Sequence, residues 1–443
     1  MDTERAAVPA LRSALAAACP SLAVGTARDA VAGVVPSFVA SPASTAEASA
    51  VVRAAASAGL TVVPRGAGTG LSWGAPPSSC DLVVDLRAMD QVLEHEAGDL
   101  VARVQAGVTI GQLASVLDAA GQRLALDAPA EATVGGVVAT GTAGPRRFRY
   151  GAPRDLLIGL TVVRADGVIA HSGGKVVKNV AGYDLGKLFS GSQGTLGLIT
   201  EATFRLHPVP AAVAWVTAEF GPGELAAAGS AVASAAGSAL VPSAVELDWP
   251  GGPQRPLRVG VLLEGTPSGV AERSRQMSAL LGSASVAAAA PPRWGALPAS
   301  VTSRGGLGGS SPRASTVVRV SFWVSALGSV LEALAAAGAD ASVRPAVNGS
   351  AGAGALYACL DPGTSDEAAQ RFVTVVRARV ADAVGHRGGV AVLAAPPGVL
   401  AAVSALGPVP GAALMQAVKD QFDPDRRMFP GRLAFVSAVA GGG

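Results

Sequence analysis

The pattern of apolar and polar positions between residues 44 and 121 predicts helices and strands in alternation. Ser44 and Glu47 have capping-box spacing, and the apolar run behind them ends at Gly59, which indicates a helix. Short apolar runs then predict three strands: LTVVP, Asp81–Leu86 and VARVQAG. A second helix is expected after another capping pair, with one apolar face: Thr109 and Gln112, then Ile110, Leu113, Val116 and Leu117. This alternation is typical of an α/β domain.

Beyond residue 150 the pattern shifts toward strands. LIGLTVVRADGVIAH predicts a β-hairpin that turns at Asp166-Gly167. Residues 198–208 alternate, with three apolar side chains on one face: Ala202, Phe204 and Leu206. Residues 211–405 mix strand-like runs with alanine-rich helices, and 291–313 predict a flexible surface loop. The helix ALMQAVKDQF is expected to end at Asp423-Pro424.

Three glycine-rich segments are the strongest chemical signal in the sequence. The first is RGAGTG after a predicted buried strand, the second is TVGG with Gly141 and Gly144, and the third is GSQGTLG at 191–197. Glycine there lets successive backbone N–H groups converge on an anion with no Cβ in the way. We therefore predict a phosphate or pyrophosphate held by several loops. A tight glycine turn without a ligand is the alternative.

Other phosphate-binding and metal-binding patterns do not fit the sequence. Leu71 stands where a dinucleotide fingerprint needs its third glycine. The segment Gly182 to Lys187 has one residue too few for a Walker loop, and Leu188 follows it. The cysteines are odd in number and form no C-x-x-C pair: Cys19, Cys80 and Cys359. We therefore predict no zinc site and no iron–sulfur cluster in this chain.

Composition and net charge limit the classes of molecule that the chain is expected to bind. The chain has 443 residues, enough for two or three domains, and a formal net charge of +2. It contains no basic block that would attract nucleic acid. The opening MDTERAAVPA has no signal-peptide pattern, and no apolar stretch is long enough to span a bilayer. We therefore expect a cytoplasmic protein without a direct membrane span.

Lysine is rare and clustered. The chain has four lysines, and three of them fall between residues 175 and 187. Either this clustering is chance in an arginine-biased composition, or the segment GGKVVKNVAGYDLGK has a function. The sequence leaves the roles of Lys178, Tyr183 and Asp184 open.

The glycine segments stand in longer stretches that resemble the FAD-binding domain of the vanillyl-alcohol oxidase and p-cresol methylhydroxylase (PCMH) superfamily: PRGAGTGLSWG, VQAGVTIGQL, ATVGGVVATGTAGPRRFRYGAPRDLLIGLTVVRADG and GGKVVKNVAGYDLGKLFSGSQGTLGLITEATFRLHP. The likeness is greatest to the FAD-binding subunits of bacterial glycolate oxidases, and FDPDRRMFPGRL resembles a C-terminal signature of that family. The resemblance implies an α+β (α/β) fold, with a two-part PCMH-type FAD-binding domain and an α+β cap domain with an antiparallel sheet. It also implies four segments: 1–35 at the N-terminus, 36–210 as FAD domain, 211–405 as cap, and 406–443 returning to the FAD domain.

The resemblance implies which residues contact the cofactor. The first loop would cradle the pyrophosphate by its backbone amides, with Arg65 adding charge: Arg65, Gly66, Ala67, Gly68, Thr69, Gly70 and Leu71. The second segment would line the flavin and its phosphates: Thr133, Gly135, Gly136, Gly141 and Gly144, with Pro129 as a further candidate. Gly197 and Ile199 would place backbone against the isoalloxazine or adenine. Tyr150 and Gly151 match the family's R-Y-G turn, and a purely structural role is the alternative for Tyr150.

Three departures from the family change what it implies. Members with covalently attached flavin usually have a histidine in the first loop, and GAGTGLSWG has none, so FAD is expected to bind noncovalently. Phe429 replaces the asparagine before Pro-Gly. Related 2-hydroxy-acid dehydrogenases resemble each other in a paired-histidine metal site, whereas His386 is the only histidine after residue 207. No metal is therefore predicted, and the catalytic residues stay unassigned.

The leading hypothesis is an FAD-dependent oxidoreductase: an FAD-binding subunit of a glycolate (2-hydroxy-acid) oxidase complex that takes part in flavin-mediated electron transfer. Its expected partners are a sister flavoprotein, which would hold the substrate-oxidising site, and an iron–sulfur subunit. Such partners would allow peripheral attachment at the inner face of the membrane. One alternative is a self-sufficient glycolate or D-lactate dehydrogenase. Another is a scaffold that retains the fold and binds no flavin.

Overall fold

A computed structural model describes residues 11–174, 184–251, 255–282, 284–291, 294, 315–385 and 388–433. Two hydrophobic cores organise these residues, one drawn mainly from positions 15–206 and the other from 216–403. Helices and largely antiparallel sheets occur in both parts, so the predicted α+β class is confirmed. The lysine-rich stretch 175–183, with Lys178 and Tyr183, lies outside the described residues, as does His386.

Two main sheets form the first core. The four-stranded sheet has the order β1-β2-β4-β3, with parallel pairing of β2, β4 and β3: β1 (Leu22–Val24), β2 (Phe38–Ala40), β3 (Val62–Arg65) and β4 (Leu82–Asp85). The five-stranded antiparallel sheet has the order β5-β6-β10-β8-β9: β5 (Val92–Glu96), β6 (Val101–Gln105), β8 (Leu157–Arg164), β9 (Ile169–Gly173) and β10 (Gly197–Arg205). A short pair joins β7 (Gln122–Arg123) to β11 (His207–Pro208).

Two helices of this part, α1 (Thr45–Ser57) and α2 (Ile110–Asp118), start where the sequence predicts, and four others are not predicted from it. These four are α3 (Val134–Thr140), α4 (Arg147–Tyr150), α5 (Pro153–Leu156) and α6 (Leu185–Phe189). The capping box of Thr109 and Gln112 is present. Ser44 caps α1 by accepting from the Glu47 amide, but the Glu47 carboxylate accepts from the Ala43 amide and not from that of Ser44.

The structure shows both the predicted apolar face of α2 and the predicted turn between β8 and β9. The predicted apolar face of α2 meets the core through Leu113 and Leu117, whereas Val116 at its edge is 40 % exposed. The β8–β9 hairpin is confirmed: Gly167 has a positive φ in its turn, and the Asp166 carboxylate accepts from the Val168 amide.

The second core lies under an eight-stranded antiparallel sheet of order β15-β12-β14-β13-β17-β18-β16-β19. Its strands are β12 (Ala212–Phe220), β13 (Ala244–Trp249), β14 (Leu257–Gly265), β15 (Ala284–Ala287), β16 (Val317–Ser321), β17 (Ala346–Ser350), β18 (Ala355–Cys359) and β19 (Gly389–Ala394). Its helices are α7 (Leu225–Ala236), α8 (Pro267–Leu281), α9 (Leu327–Asp340), α10 (Asp366–Val384) and α11 (Pro397–Ala402). Nearly all of the loop predicted at 291–313 lies outside the described residues. In the described ranges, no helix combines the length and apolarity needed to cross a membrane.

The last described segment runs back to the first core. Helix α12 (Ala412–Phe422) ends at Asp423, as predicted. The chain then pairs with β3, because the Val62 amide donates to Arg427 O and the Phe429 amide donates to Val62 O, both at 2.8 Å. Met428 is fully buried in the first core. This return places the C-terminal signature beside the first glycine loop.

Candidate functional site

The three glycine segments meet around one cleft, which we call the glycine cleft. Twelve of the candidate cofactor residues line it: Arg65, Gly66, Ala67, Gly68, Thr69, Gly70, Leu71, Thr133, Gly135, Gly136, Gly197 and Ile199. Nine further residues complete the wall: Pro64, Leu86, Ala106, Ala139, Thr140, Gln193, Gly194, Phe429 and Arg432. The segments therefore come together in space, as the sequence predicts, although residues 71 and 133 are far apart in the chain.

The loop that follows β3 presents a row of unused hydrogen-bond donors. Within the described part of the chain, the backbone amides of residues 66–70 donate to no protein oxygen. Gly68 has a φ of +84°, a left-handed conformation that side chains rarely adopt. Consecutive amides that point into a concave space form an anion-binding nest.

The loop also packs tightly against α3. A Cβ on Gly66 would lie 2.0 Å from Thr133 Oγ1, and one on Gly70 would lie 2.8 Å from Thr140 Cγ2. Thr133 caps α3 by accepting from the Gly136 amide. Side chains at these two glycines would therefore push the loop away from α3 and change the shape of the cleft.

Two arginines at the cleft have different charge environments. Arg65 forms ion pairs with Asp29 and Asp85, at 3.1 and 3.0 Å, so its charge is already balanced. Arg432 is 3 % exposed and has no carboxylate partner among the described residues. Its guanidinium donates to Gly70 O, Leu71 O and Ala75 O and to the Gln193 side chain. Burial lowers the pKa of Arg432 to about 9.

The sequence predicts that Arg65, and not Arg432, supplies positive charge beside the pyrophosphate. Among the described residues, the buried arginine without a carboxylate partner at the first loop is Arg432, because the C-terminal segment returns to that loop. Its signal in the sequence is the arginine of FDPDRRMFPGRL. Phe429, at the position of the family's asparagine, lines the cleft and lies under the Arg432 guanidinium, 4.8 Å from ring centre to Cζ.

Five candidate residues do not line the cleft. Gly141 ends α3 in a left-handed conformation, with a φ of +65°. Pro129 and Gly144 line a different cavity, described next. Gly151 ends α4. The Tyr150 hydroxyl donates to the Glu264 carboxylate at 2.9 Å, which favours the structural alternative for this residue.

A second cavity of about 280 Å³ lies between residues 127–147 and the eight-stranded sheet, and we call it the sheet cavity. It is lined on one side by Asp127, Pro129, Gly144 and Arg147, and on the other by Glu246, Ser350 and Tyr357, among others. The middle of the stretch 127–147 lines the glycine cleft instead, through Thr133, Gly135, Gly136, Ala139 and Thr140, so this stretch contributes to both spaces.

Ion pairs join the two parts of the molecule beside this cavity. The buried carboxylate of Glu264 pairs with Arg123 at 2.8 Å and approaches Arg146 at 3.4 Å. Burial alone would raise the pKa of Glu264, but the Arg123 guanidinium and the hydroxyls of Ser243 and Tyr150 outweigh it and lower this pKa to about 2. Glu264 is on β14 and Arg123 on β7, so this cluster joins the large sheet to the first core.

Comparison with known proteins shows which domain and which fold the chain resembles. Residues 36–173 match the family described as FAD binding domain. The fold is similar to that of p-cresol methylhydroxylase, with a TM-score of 0.72, 16 % identity and 96 % of each chain covered. Chitooligosaccharide oxidase gives a TM-score of 0.67 at 16 % identity, covering 97 % of this chain and 99 % of that one. The molecule therefore contains an FAD-binding domain within a fold of the p-cresol methylhydroxylase type.

The curated relatives that are similar to this chain include a glycolate oxidase subunit and a D-lactate dehydrogenase. The chain is 42 % identical over 151 residues to glycolate oxidase subunit GlcD of Bacillus subtilis (strain 168), covering 34 % of this chain and 32 % of that protein. It is 43 % identical over 164 residues to D-lactate dehydrogenase of Archaeoglobus fulgidus, covering 36 % of each. The matches span about a third of the length of these relatives. The predicted resemblance is confirmed for an FAD-binding domain by the match over residues 36–173, and for the fold by the likeness to p-cresol methylhydroxylase.

The glycine cleft fits FAD on its own geometry. The free amides of residues 66–70 suit the oxygens of a pyrophosphate, and Arg432 offers a buried cation without an anion. The apolar wall of Leu86, Ala106 and Ile199 suits a flat ring system. A phosphate-bearing ligand therefore has donors, charge and an apolar surface within one space.

Proposed function

We propose that this chain binds FAD noncovalently in the glycine cleft and serves as a flavoprotein subunit in the oxidation of a small 2-hydroxy acid such as glycolate. The observation that carries the proposal is the row of free amides at residues 66–70 in the cleft that the buried Arg432 also lines. The FAD-binding family and the relatives that act on glycolate and D-lactate support it. When bound, FAD would supply a two-electron acceptor.

The noncovalent mode rests on the cleft lining. Covalent attachment of a flavin needs a nucleophilic side chain, and the described residues that line the cleft include no histidine, cysteine or tyrosine. Acid precipitation of the purified, yellow protein should release all of its flavin into the supernatant. Flavin that stays with the washed pellet would contradict this part of the proposal.

The subunit role rests on what the described chain offers for electron transfer. Cys19 and Cys80 are buried and Cys359 is partly buried, and all three are free thiols. Among the described residues, no cluster of three or more His, Cys, Asp or Glu could hold a metal ion. A sister flavoprotein and an iron–sulfur subunit would therefore complete the path of the electrons. We place the complex in the cytoplasm, with attachment at the inner face of the membrane through these partners.

One observation favours the second candidate, a self-sufficient 2-hydroxy-acid dehydrogenase. The sheet cavity contains a buried carboxyl group, Glu246, beside Arg147 and Tyr357. Such groups could receive a proton and hold an acid without a partner subunit. The scaffold alternative has less support, because a scaffold without flavin gives no reason for the free amides of the first loop.

The deciding experiment mixes the FAD-loaded chain anaerobically with glycolate and with D-lactate and follows the flavin absorbance. We expect no bleaching within seconds by the chain alone, and bleaching once the partner subunits are added. Rapid bleaching by the chain alone would replace the subunit proposal with the self-sufficient dehydrogenase. A purified chain that takes up no FAD from solution would refute both and favour the scaffold.

A further inference from the structure

The far end of the first glycine loop contacts the eight-stranded sheet. The Gly74 amide donates to Leu393 O on β19 at 2.7 Å. The register of β19 against β16 shifts between Val392 and Ala394, so Leu393 is an extra residue that leaves the ladder, as in a β-bulge. Its carbonyl is therefore available to hold the loop from the side of the sheet.

Trp73 adds an apolar contact beside this hydrogen bond. Its side chain is buried and forms a small cluster with Val317 of β16 and Ala394 of β19. Partly buried side chains of the same sheet pack against the cluster: Tyr357, Cys359 and Leu393. Among the described members of the cluster, Trp73 alone comes from the first part of the molecule. The loop thus places one large apolar side chain against the sheet, where it is removed from water.

Two short turns connect Trp73 with the free amides of the loop. The Trp73 amide donates to Gly70 O at 3.3 Å, and the Leu71 amide donates to Gly68 O at 3.2 Å. A Cβ on Gly70 would lie 3.8 Å from Trp73 Cδ2, so the indole lies beside the last of the free amides. A displacement of Trp73 would therefore move the backbone of Gly68 and Gly70.

Within the described chain, three parts of the molecule hold the loop without using the amides of residues 66–70. Helix α3 packs against the glycines of the loop, and the Arg432 guanidinium donates to its carbonyls. Trp73 and Gly74 add the contact with the eight-stranded sheet. A loop that is already ordered costs less free energy to order when a ligand binds, so each of these contacts favours a ligand of the amides.

We propose that Trp73 is a positioning residue for FAD: through it the eight-stranded sheet holds the first glycine loop in the conformation that presents its amides to the pyrophosphate. This inference rests on the proposed function, because it concerns how the same cleft binds FAD. Trp73 itself does not line the glycine cleft, so it acts through the backbone of residues 68–70. The affinity for FAD then depends on the packing between the two parts of the molecule as well as on the cleft.

The test is fluorescence titration of flavin-free protein with FAD. Trp73→Ala should weaken FAD binding about tenfold or more, because the ligand would then have to order the loop. Trp73→Phe keeps an aromatic ring in the cluster and should stay within about threefold of the wild type. Melting temperature and far-ultraviolet circular dichroism would show that each variant is folded.

Trp215 provides the matched control. It is 6 % exposed, against 7 % for Trp73, and it lies in another small apolar cluster of the same sheet, away from the first loop. Trp215→Ala should lower the melting temperature as Trp73→Ala does and keep the FAD affinity of the wild type. The comparison separates an effect on the loop from a general loss of stability.

A variant on the sheet side tests the route through Trp73. Val317 is fully buried in the cluster of Trp73 and does not line the glycine cleft. Val317→Ala should weaken FAD binding about threefold, and its addition to Trp73→Ala should cause no further loss, because the effects of residues in contact are not additive. Losses that multiply in the double variant would overturn the inference.

An unchanged FAD affinity in Trp73→Ala would also overturn it, as would equal losses of affinity in Trp73→Ala and Trp215→Ala. Both results would leave the proposed function standing, because the wild type would still bind FAD. A wild type that takes up no FAD would refute the proposed function and this inference with it. If Trp73→Ala does not fold, Val317→Ala decides alone, and an unchanged FAD affinity in that variant would overturn the inference.

Discussion

Replacement of Gly68 by alanine tests whether the free amides of the first loop face a ligand. Gly68 has a φ of +84°, and a Cβ there would meet its nearest protein atom, Leu71 Cδ1, at 3.7 Å. The protein itself therefore has room for the methyl group. What the change costs is the left-handed backbone conformation, plus any clash with a molecule in the cleft.

The free-energy cost of each effect can be estimated. A left-handed conformation costs an L-residue about 1–2 kcal/mol of stability. A methyl group forced into an already filled space costs about 1–3 kcal/mol more. Because ~1.4 kcal/mol corresponds to a factor of ten in affinity, Gly68→Ala should weaken FAD binding about tenfold or more, in addition to lowering the melting temperature.

Gly121 provides the matched control. It has a φ of +63°, and a Cβ there would have no neighbour within 4 Å. Gly121→Ala should therefore lose similar stability and keep its affinity for FAD. The assay is fluorescence titration of flavin-free protein with FAD, with far-ultraviolet circular dichroism as a check on folding. Equal affinities of the two variants would refute the close approach of FAD to the first loop.

Two further outcomes concern buried ion pairs. The pKa of Glu264 lies at about 2 in the folded chain instead of 4.5, so this carboxylate stabilises the fold above pH 4.5 and loses its effect as the pH falls toward 2. Glu264→Gln should lower the free energy of unfolding by roughly 3 kcal/mol near neutral pH, and should reduce the further loss of stability between pH 4.5 and 2 in denaturant unfolding. A loss of stability toward pH 2 equal to that of the wild type would contradict this. Lys419→Met should cost about 3–5 kcal/mol of stability, because the fully buried Asp423 would lose its ion pair. A loss below ~1 kcal/mol in the same assay would show that the backbone amides of Arg427 and Met428 stabilise the Asp423 carboxylate without Lys419.

Local chemistry in the sequence predicts much of the first core. The capping box at Thr109 and the Asp166-Gly167 turn depend on residues that are neighbours in the chain, so both could be inferred. The convergence of the glycine segments could be inferred only through resemblance to a known family. The exposure of Val116 could not be predicted, because a helical period identifies an apolar stripe but not how much of its width is buried.

The charges at the two cavities could not be predicted, because they depend on partners that are distant in the chain. Arg65 is neutralised in part by Asp29, and Arg432 reaches the first loop from a segment more than 360 positions away. Glu246 and Tyr357 line one cavity only because of the strand order β13-β17-β18, which no local pattern specifies. An inventory of histidines, the basis of the sequence argument on catalysis, does not detect a buried carboxyl group.

An arginine that lies largely inside the protein without a carboxylate partner is not by itself a ligand site, and Arg377 shows why. Arg377 is partly buried and donates to the backbone carbonyls of Val390, Ser404 and Ala405, so it joins α10 to β19 and to the chain beyond α11. Burial lowers its pKa, as it does for Arg432. The difference is that Arg432 lines the glycine cleft and Arg377 lines none of the cavities described above.

This difference leads to a paired prediction. Both Arg377→Met and Arg432→Met should lower the melting temperature of the FAD-free chain, because each leaves buried carbonyls without donors. The same excess of FAD should stabilise the wild type and Arg377→Met equally, since the gain depends on the FAD concentration relative to its Kd, which Arg377→Met should leave unchanged. Arg432→Met should lose most of that gain, because its cation balances the pyrophosphate charge. If FAD stabilises both variants equally, Arg432 is a structural residue like Arg377, and the charge of the cofactor must be balanced elsewhere.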